Sequence, residues 1–443
     1  MRKFLKITFG IIILLLLLLA VLVTPVDWTP YRQMPYYRAT MNDLEQLHLE
    51  TSDEGHIQAG WALANITPKE PVPLVAYKPR GNYEFVQDSS FVKALIFGNG
   101  KLNIALLNYE LLIVHPALAK TIEEAIKASG LTIQHVYFTA THTHSGMGGT
   151  VQGLIGEVAM GGWNEKVVSL LKEKTLEALA HALQKMDTVS LEYKKIYAGD
   201  FVANRLVPGD PVDPYIRQMN FKNNTGETCS FLTYSAHATC LNSQFMGLSG
   251  DYPHYLTQLR QEDQVDLSIY AAGAVGSHRP IIRQKDINGV KLYASQLNEV
   301  IRNQPKQEQT DNTSTLKTGR LALQLRSPHY RISNQYRLRP WIFKWVFGDH
   351  PAYFDIVQLG NTLMISSSGE ISGVFYENWE KWAATHGLNL IVTTFNGGYI
   401  GYITPDKYYM EPYYEVRDMN LYGPYNGAYF NELIFGLMEK AIR

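Results

Sequence analysis

The chain opens on an uncharged run from Ile7 to Val23 dominated by Leu and Ile, preceded by Arg2, Lys3 and Lys6. A stretch of this kind is a targeting or anchoring helix, near the short end of the roughly 17–25 residues that a span needs. No small-residue cleavage pattern follows it. The next residues, Leu22 to Trp28, predict an uncleaved anchor, with Trp28 and Tyr31 at headgroup level. Basic residues on its N-terminal side place the tail in the cytoplasm and the bulk of the chain outside. Residues 1–24 are thus read as a transmembrane anchor or signal segment, 25–55 as a polar and aromatic spacer stem with one short helix around Met41 to Leu49, and 56–443 as a single large domain.

Beyond the stem the apolar period switches between two and 3.6. Val92 to Phe97 and Asn103 to Leu107 read as buried strands joined by the Gly98-Asn99-Gly100 turn. Ala117 to Ser129 carries helical spacing and stops at Gly130, and Ile133 to Ala140 is again a strand. Asn164 is a cap for a long helix reaching about Met186, with Val168, Leu171, Leu179 and Leu183 on one face. Val189 to Tyr193, Gln218 to Phe221 and Ser230 to Ser235 follow as strands, and the polar stretch Asn303 to Thr315 as a loop. This order predicts an α/β fold, with α+β as the variant, in which mixed sheets are flanked by helices.

Composition narrows the function. The chain is 46% hydrophobic and 18% charged, which excludes disorder. Forty basic residues against 41 acidic ones leave a net charge of -1, without a basic tract to follow a phosphate backbone, so nucleic acid is not an expected partner. Cys229 and Cys240 are too few for a thiolate cluster, so a bound metal must use His, carboxylate or phenolate ligands; pairing of the two cysteines stays open.

Chemistry-bearing residues gather where strands end. Thr141-His142-Thr143-His144-Ser145-Gly146 closes one predicted strand, and a spacing of two puts both imidazoles on one strand face about 6–7 Å apart. On the residues alone, two hydrogen-bonded and inert strand-end histidines are the favoured account. His237 ends a second strand in Ser235-Ala236-His237, and Glu370 follows the apolar strand Thr362 to Ile365. A tyrosine-rich segment runs from Tyr399 through Tyr402 to Tyr414-Glu415, a composition that ordinary packing also produces.

The order of these segments resembles the neutral, non-lysosomal ceramidase family. The resemblance starts at Ala59-Gly60 and Val75-Ala76-Tyr77. It continues through the His142/His144 element, Ala203-Asn204-Arg205 with Asp213-Pro214, Ser235-Ala236-His237, Ser249-Gly250-Asp251 and Gly369-Glu370 to the C-terminal tyrosines. It implies a zinc ion held by His142, His237, Glu370 and Tyr402, an acceptable N/O set for Zn²⁺. It also implies hydrolysis of the amide bond of ceramide or a related N-acyl lipid by water that the metal activates. His144 would then bind substrate and carry a proton to the leaving amine, with Tyr414 and Arg205 serving the oxyanion and the head group. Asp251 and Glu110 are expected to orient the ligand histidines.

The resemblance departs at Gly273-Ala274-Val275-Gly276-Ser277-His278-Arg279-Pro280, where the family's turn supplies a serine. Either Arg279 or Ser277 takes its place, and Arg279 near the metal would select a carboxylate- or phosphate-bearing substrate or pair with a nearby acid. The sequence reaches Arg443 soon after the tyrosine motif, so the family's following immunoglobulin-like domain is not expected, and membrane targeting falls to the N-terminal helix. The aromatic run Trp341, Phe343, Trp345, Phe347 is read as a core-packed strand or helix, with lipid contact as the competing account. An amidase or esterase acting on another extracytoplasmic substrate, and a membrane-tethered binding protein without turnover, are the alternative functions.

Overall fold

Strands that alternate apolar residues on both faces must be covered on both sides, and that requirement builds this molecule. In the computed structural model, which describes residues 2–77, 79–304 and 314–443, the Phe91–Gly98 strand sends Val92, Ala94 and Ile96 to one buried face. Leu95 and Phe97 go to the other. It lies inside an eight-stranded mixed sheet. Its neighbours Gln58–Asn65 and Asn103–Tyr109 run antiparallel to it, and His135–Ala140 closes that edge parallel to Asn103–Tyr109. At the other edge Leu267–Ala272 pairs in parallel with Thr228–Tyr234.

A second, five-stranded sheet carries Tyr353–Leu359, Thr362–Ser367 and Asn389–Thr394, the last two in parallel. Val357, Leu359, Met364 and Ile391 pack from it onto Leu95, Phe97, Ile104 and Leu106 of the large sheet. The result is four layers, helix–sheet–sheet–helix, the mixed α/β architecture expected from the pattern.

The helices in chain order are α1 (Arg2–Leu22), α2 (Pro35–Gln46), α3 (Pro116–Ser129), α4 (Leu154–Ala159), α5 (Glu165–Gln184), α6 (Asp251–Glu262), α7 (Ile287–Arg302), α8 (Pro340–Phe347), α9 (Tyr376–Thr385), α10 (Tyr414–Arg417) and α11 (Asn426–Ile442). Helices α3 and α5 cover the outer face of the large sheet through Leu118, Ile122, Leu171 and Leu179. Two caps work as their sequences suggest. The Asn164 side chain accepts from the amides of Lys166 and Val167 (3.0 and 3.4 Å), and α3 ends at Gly130 in the left-handed region, φ 73°.

Two expectations are corrected. The stretch read as a spacer stem is packed onto the body: Asp27 pairs with Arg326 (3.0 Å), Tyr31 and Tyr37 donate to Glu432, and Glu50–Ser52 adds a strand to the small sheet. Buried aromatic and hydrogen-bonding side chains outweigh the polar look of that segment. The run around Trp341 is helix α8, packed on the core through Phe343 and Phe347 as expected, with Trp341 and Trp345 exposed on its other side. His142 does not continue a strand but sits at φ 62°, turned by the chain as it leaves the sheet. The expected loop at 303–315 falls largely outside the described residues. Both cysteines are free and buried.

Candidate metal centre

Ligand sites in α/β proteins gather beyond the carboxyl ends of parallel strands, and here three parallel pairs send their exits to one point. The amides of Thr141 and His142 donate to the carbonyls of Tyr109 and Leu111 (both 3.0 Å), and the left-handed turn at His142 swings its ring inward onto Phe395, centroids 4.1 Å apart. Its Nδ1 faces the Leu112 carbonyl at 2.8 Å. His237, three residues past the Thr228–Tyr234 strand, has its Nδ1 3.0 Å from the His278 carbonyl. In both rings Nδ1–H donates to a backbone oxygen, which leaves the Nε2 lone pair free for a ligand.

Those two Nε2 atoms converge on Glu370. The His237 Nε2 lies 3.2 Å and the His142 Nε2 3.5 Å from Glu370 Oε2, and the Tyr402 hydroxyl is 3.4 Å from His237 Nε2. Glu370 and Tyr402 are held side by side because their two short strands pair in parallel with Glu370 opposite Tyr402. A tetrahedral zinc site with bonds of about 2.0–2.1 Å has donor-to-donor edges of about 3.3–3.4 Å. The donor set therefore fits such an ion in spacing as well as in chemistry.

The surroundings fix these groups. Tyr399 donates to Glu370 Oε1 (3.0 Å), and Arg205 Nη2 donates to the Tyr402 hydroxyl (2.8 Å) while its Nε pairs with Glu415 Oε1 (2.8 Å). Burial lowers His237 to about 3 and, together with the neighbouring imidazoles, takes His144 well below its ordinary value. Burial pushes Glu370 upward, but His142 and His237 outweigh it and hold the carboxyl well below the usual range. A neutral His237 beside an anionic Glu370 carboxylate suits a divalent cation.

His144 stands apart from the other two imidazoles. Its Nε2 is 3.3 Å from that of His142, and nitrogen atoms of all three histidines lie within 4.8 Å of one another. Yet no carbonyl orients its ring, and its buried Nδ1 has no hydrogen-bond partner among the described residues. The Arg80 guanidinium holds its backbone carbonyl at 2.6 Å. The ring faces an apolar cavity of about 480 Å³, with Leu112, Ile155, Met160, Phe343, Phe347 and Leu421 on its walls, Glu370 and Tyr402 at its polar end, and Tyr414, 56% exposed, at its margin.

Two assignments of orienting groups fail. Glu110 contacts His254 (3.1 Å) and Lys93 (3.3 Å), and Asp251 accepts from the amides of Leu241 and Tyr252, so neither touches a converging histidine. Backbone carbonyls of Leu112 and His278 do that work, and no residue type announces a carbonyl. Arg279 is exposed on a short strand paired with Val202–Asn204 and does not face the cavity. Ser277 is buried beneath it, 2.9 Å from His278 Nδ1 and 2.5 Å from the Ser372 hydroxyl. That turn therefore buttresses the carbonyl beneath His237. Tyr399 lay inside the tyrosine segment, and only its hydroxyl's neighbour distinguishes it from the rest.

The fold has counterparts in known proteins. A family model described as neutral/alkaline non-lysosomal ceramidase, N-terminal, matches residues 84–268, a span that includes His142, His144, Arg205 and His237. The neutral ceramidase from Pseudomonas aeruginosa superposes with a TM-score of 0.73 at 15% identity, over 88% of this chain and 75% of that one. A structure described as ceramidase complexed with C2 gives 0.74 at 14% identity, over 86% and 74%. No curated protein matches. The segment 84–268 thus matches the neutral/alkaline non-lysosomal ceramidase family model, and the four-layered fold is the one these ceramidase structures have.

Proposed function

We propose that this protein is a zinc-dependent amidohydrolase that cleaves the amide bond of ceramide or a related N-acyl lipid. The observation that carries the reading is the convergence of His142, His237, Glu370 and Tyr402 at the polar end of an otherwise apolar cavity. A zinc ion held by these four would supply Lewis acidity and lower the pKa of water toward neutrality.

The chain's own residues supply the rest. In the overall reaction water adds to the acyl carbon, the carbon–nitrogen bond breaks, and the amine departs with a proton while the acyl group leaves as a carboxylate. His144, neutral and unpartnered at Nδ1, is the group that carries that proton. Arg205 holds the Tyr402 hydroxyl and keeps positive charge beside it. Tyr414, whose phenol burial raises to about 12, stays protonated and is the donor to the developing oxyanion or to the head group. The apolar walls take the acyl chain and exclude water. Helix α1 is the membrane anchor, and the body that follows it, the packed segment 26–52 included, works on the extracytoplasmic side.

The test measures zinc per chain and fatty-acid release from a panel of N-acyl lipids that includes ceramide, for the wild type and His142→Ala. About one zinc per chain, with ceramide cleavage lost in the variant, is expected. Zinc without cleavage of any lipid would reject the substrate, and absence of zinc would reject the metal.

A further inference from the structure

Helices α4 and α8 form one rim of the cavity, and both expose apolar side chains outward besides those that line it. Phe343 and Phe347 of α8 point into the cavity, while Trp341 and Trp345, four residues apart on the other side, are 55% and 70% exposed. Ile155 and Ala159 of α4 line the same cavity, while Leu154 and Val158 are 42% and 60% exposed. The two helices are in contact. Between them they carry only two ionised residues, Glu157 and Lys344, and Lys344 is paired with Asp349. A helix with an apolar face turned outward has a partner that covers it.

The neighbouring element says what that partner is. Strand Val23–Pro25, which directly continues α1, pairs antiparallel with Tyr336–Leu338. The Arg339 amide donates to the Leu22 carbonyl (2.9 Å), and its guanidinium donates to the Ala20 carbonyl (2.8 Å). Helix α8 begins at the next residue, so Trp341 stands two residues from a clamp on the last turn of the apolar α1. Tryptophan at the end of a span sits in the interfacial layer of a bilayer.

We infer that the outward faces of α4 and α8 are a second membrane contact, seating the cavity mouth on the bilayer that α1 enters so that a lipid passes between the two helices into the site. The passage of lipid rests on the proposed hydrolysis, and the contact rests only on α1 entering the bilayer.

Full-length protein in nanodiscs of phosphatidylcholine, with plain or brominated acyl chains, separates the two. Bromolipid quenches tryptophan that it touches, so wild type is expected to lose more emission than the Trp341→Phe/Trp345→Phe variant. Equal quenching in the two would overturn the contact. Protection of Trp345 that depends on protein concentration, without bromolipid quenching, would assign the face to a second copy and overturn it as well. For the passage, Trp341→Ser/Trp345→Ser is expected to lower hydrolysis of bilayer-embedded N-acyl lipid about tenfold and leave a water-soluble short-chain N-acyl substrate unaffected. Parallel losses on both substrates would overturn the passage. If wild type cleaves neither substrate, the proposed function and the passage fail together, while the quenching still decides the contact.

Discussion

A histidine suits a metal when one nitrogen is fixed and the other is left free, and that distinction separates His142 and His237 from His144 as candidate ligands. The carboxylate is fixed in a comparable way by the Tyr399 hydroxyl on Glu370 Oε1. Removing such an outer partner typically costs 10–100-fold in metal affinity or activity. Tyr399→Phe is therefore expected to weaken zinc binding by about that factor, read by competition with a chromophoric chelator, with the thermal midpoint of the metal-free protein little changed. A second cluster supplies a pH test away from the ligands. Burial pushes His254 down, and Glu110 at 3.1 Å more than offsets it, so His254 titrates above its ordinary value. Burial likewise raises Glu110, and His254 and Lys93 carry it below its ordinary value. The raised histidine stabilises the fold fully below its unfolded pKa of about 6.5, and that gain is lost as pH rises through the folded value. The lowered glutamate contributes above about 4.5 and loses its contribution as pH falls through its folded value. The stability gap between wild type and His254→Asn should thus be widest between about pH 4.5 and 6.5 and shrink as pH rises through the raised folded value of His254. Urea unfolding of both proteins across that range reads it.

At the scale of elements, the site depends on short strands that leave little room. A Cβ placed on Gly276 would lie 2.1 Å from the Glu370 carbonyl oxygen and 2.9 Å from the carbonyl carbons of Glu370 and Ile371. These are backbone atoms, and they cannot swing aside as a side chain would. Gly276→Ala is expected to push the Glu370–Ile371 strand away, lowering stability by about 1–3 kcal/mol and reducing bound zinc together. Unfolding midpoints and metal content measured on the same preparation check this, and unchanged zinc content would place the adjustment elsewhere. The same turn shows why a motif departure misleads when read in isolation. Arg279 is the conspicuous charge in it, yet Ser277, His278 and Ser372 form the buried buttress beneath His237.

For the molecule as a whole, the site joins the two sheets. His142 and His237 leave strands of the large sheet, whereas Glu370 follows a strand of the small one and Tyr402 pairs beside it. An ion bound by all four ties the sheets together only in the folded state, so it stabilises by mass action, about 2.7 kcal/mol at a free concentration 100 times the dissociation constant. Chelation should therefore lower the calorimetric midpoint, and added zinc should restore it. His142→Ala should show a low midpoint that no longer responds to zinc. The sheets also explain why the stretch from Val26 to Ser52 is not a spacer. Without it, Arg326 and the edge of the Leu316–Ala322 strand would lack their partners.

The strands, the capped helices α3 and α5, the apolar α1 and the strand-end placement of the chemical residues were legible in the chain, because period, caps and breakers act between residues a few positions apart. The order of His142, His237, Glu370 and Tyr402 was legible as a resemblance. What closes the site spans long separations: His142 to the Leu112 carbonyl, His237 to that of His278, Glu370 to the Tyr399 hydroxyl, Tyr402 to Arg205. Glu110 and Asp251 looked like orienting acids because carboxylates often serve that way, yet backbone oxygens stood in their place, and every residue type carries one. The aromatic period around Trp341 likewise resolved into an inward and an outward face only once α8 was set between the cavity and the end of α1. A local pattern determines which elements form and which of their residues can do chemistry; the packing of two sheets decides which nitrogen is free, which charge faces water and which carbonyl holds a ring, because those depend on atoms that only the tertiary fold brings within hydrogen-bond reach.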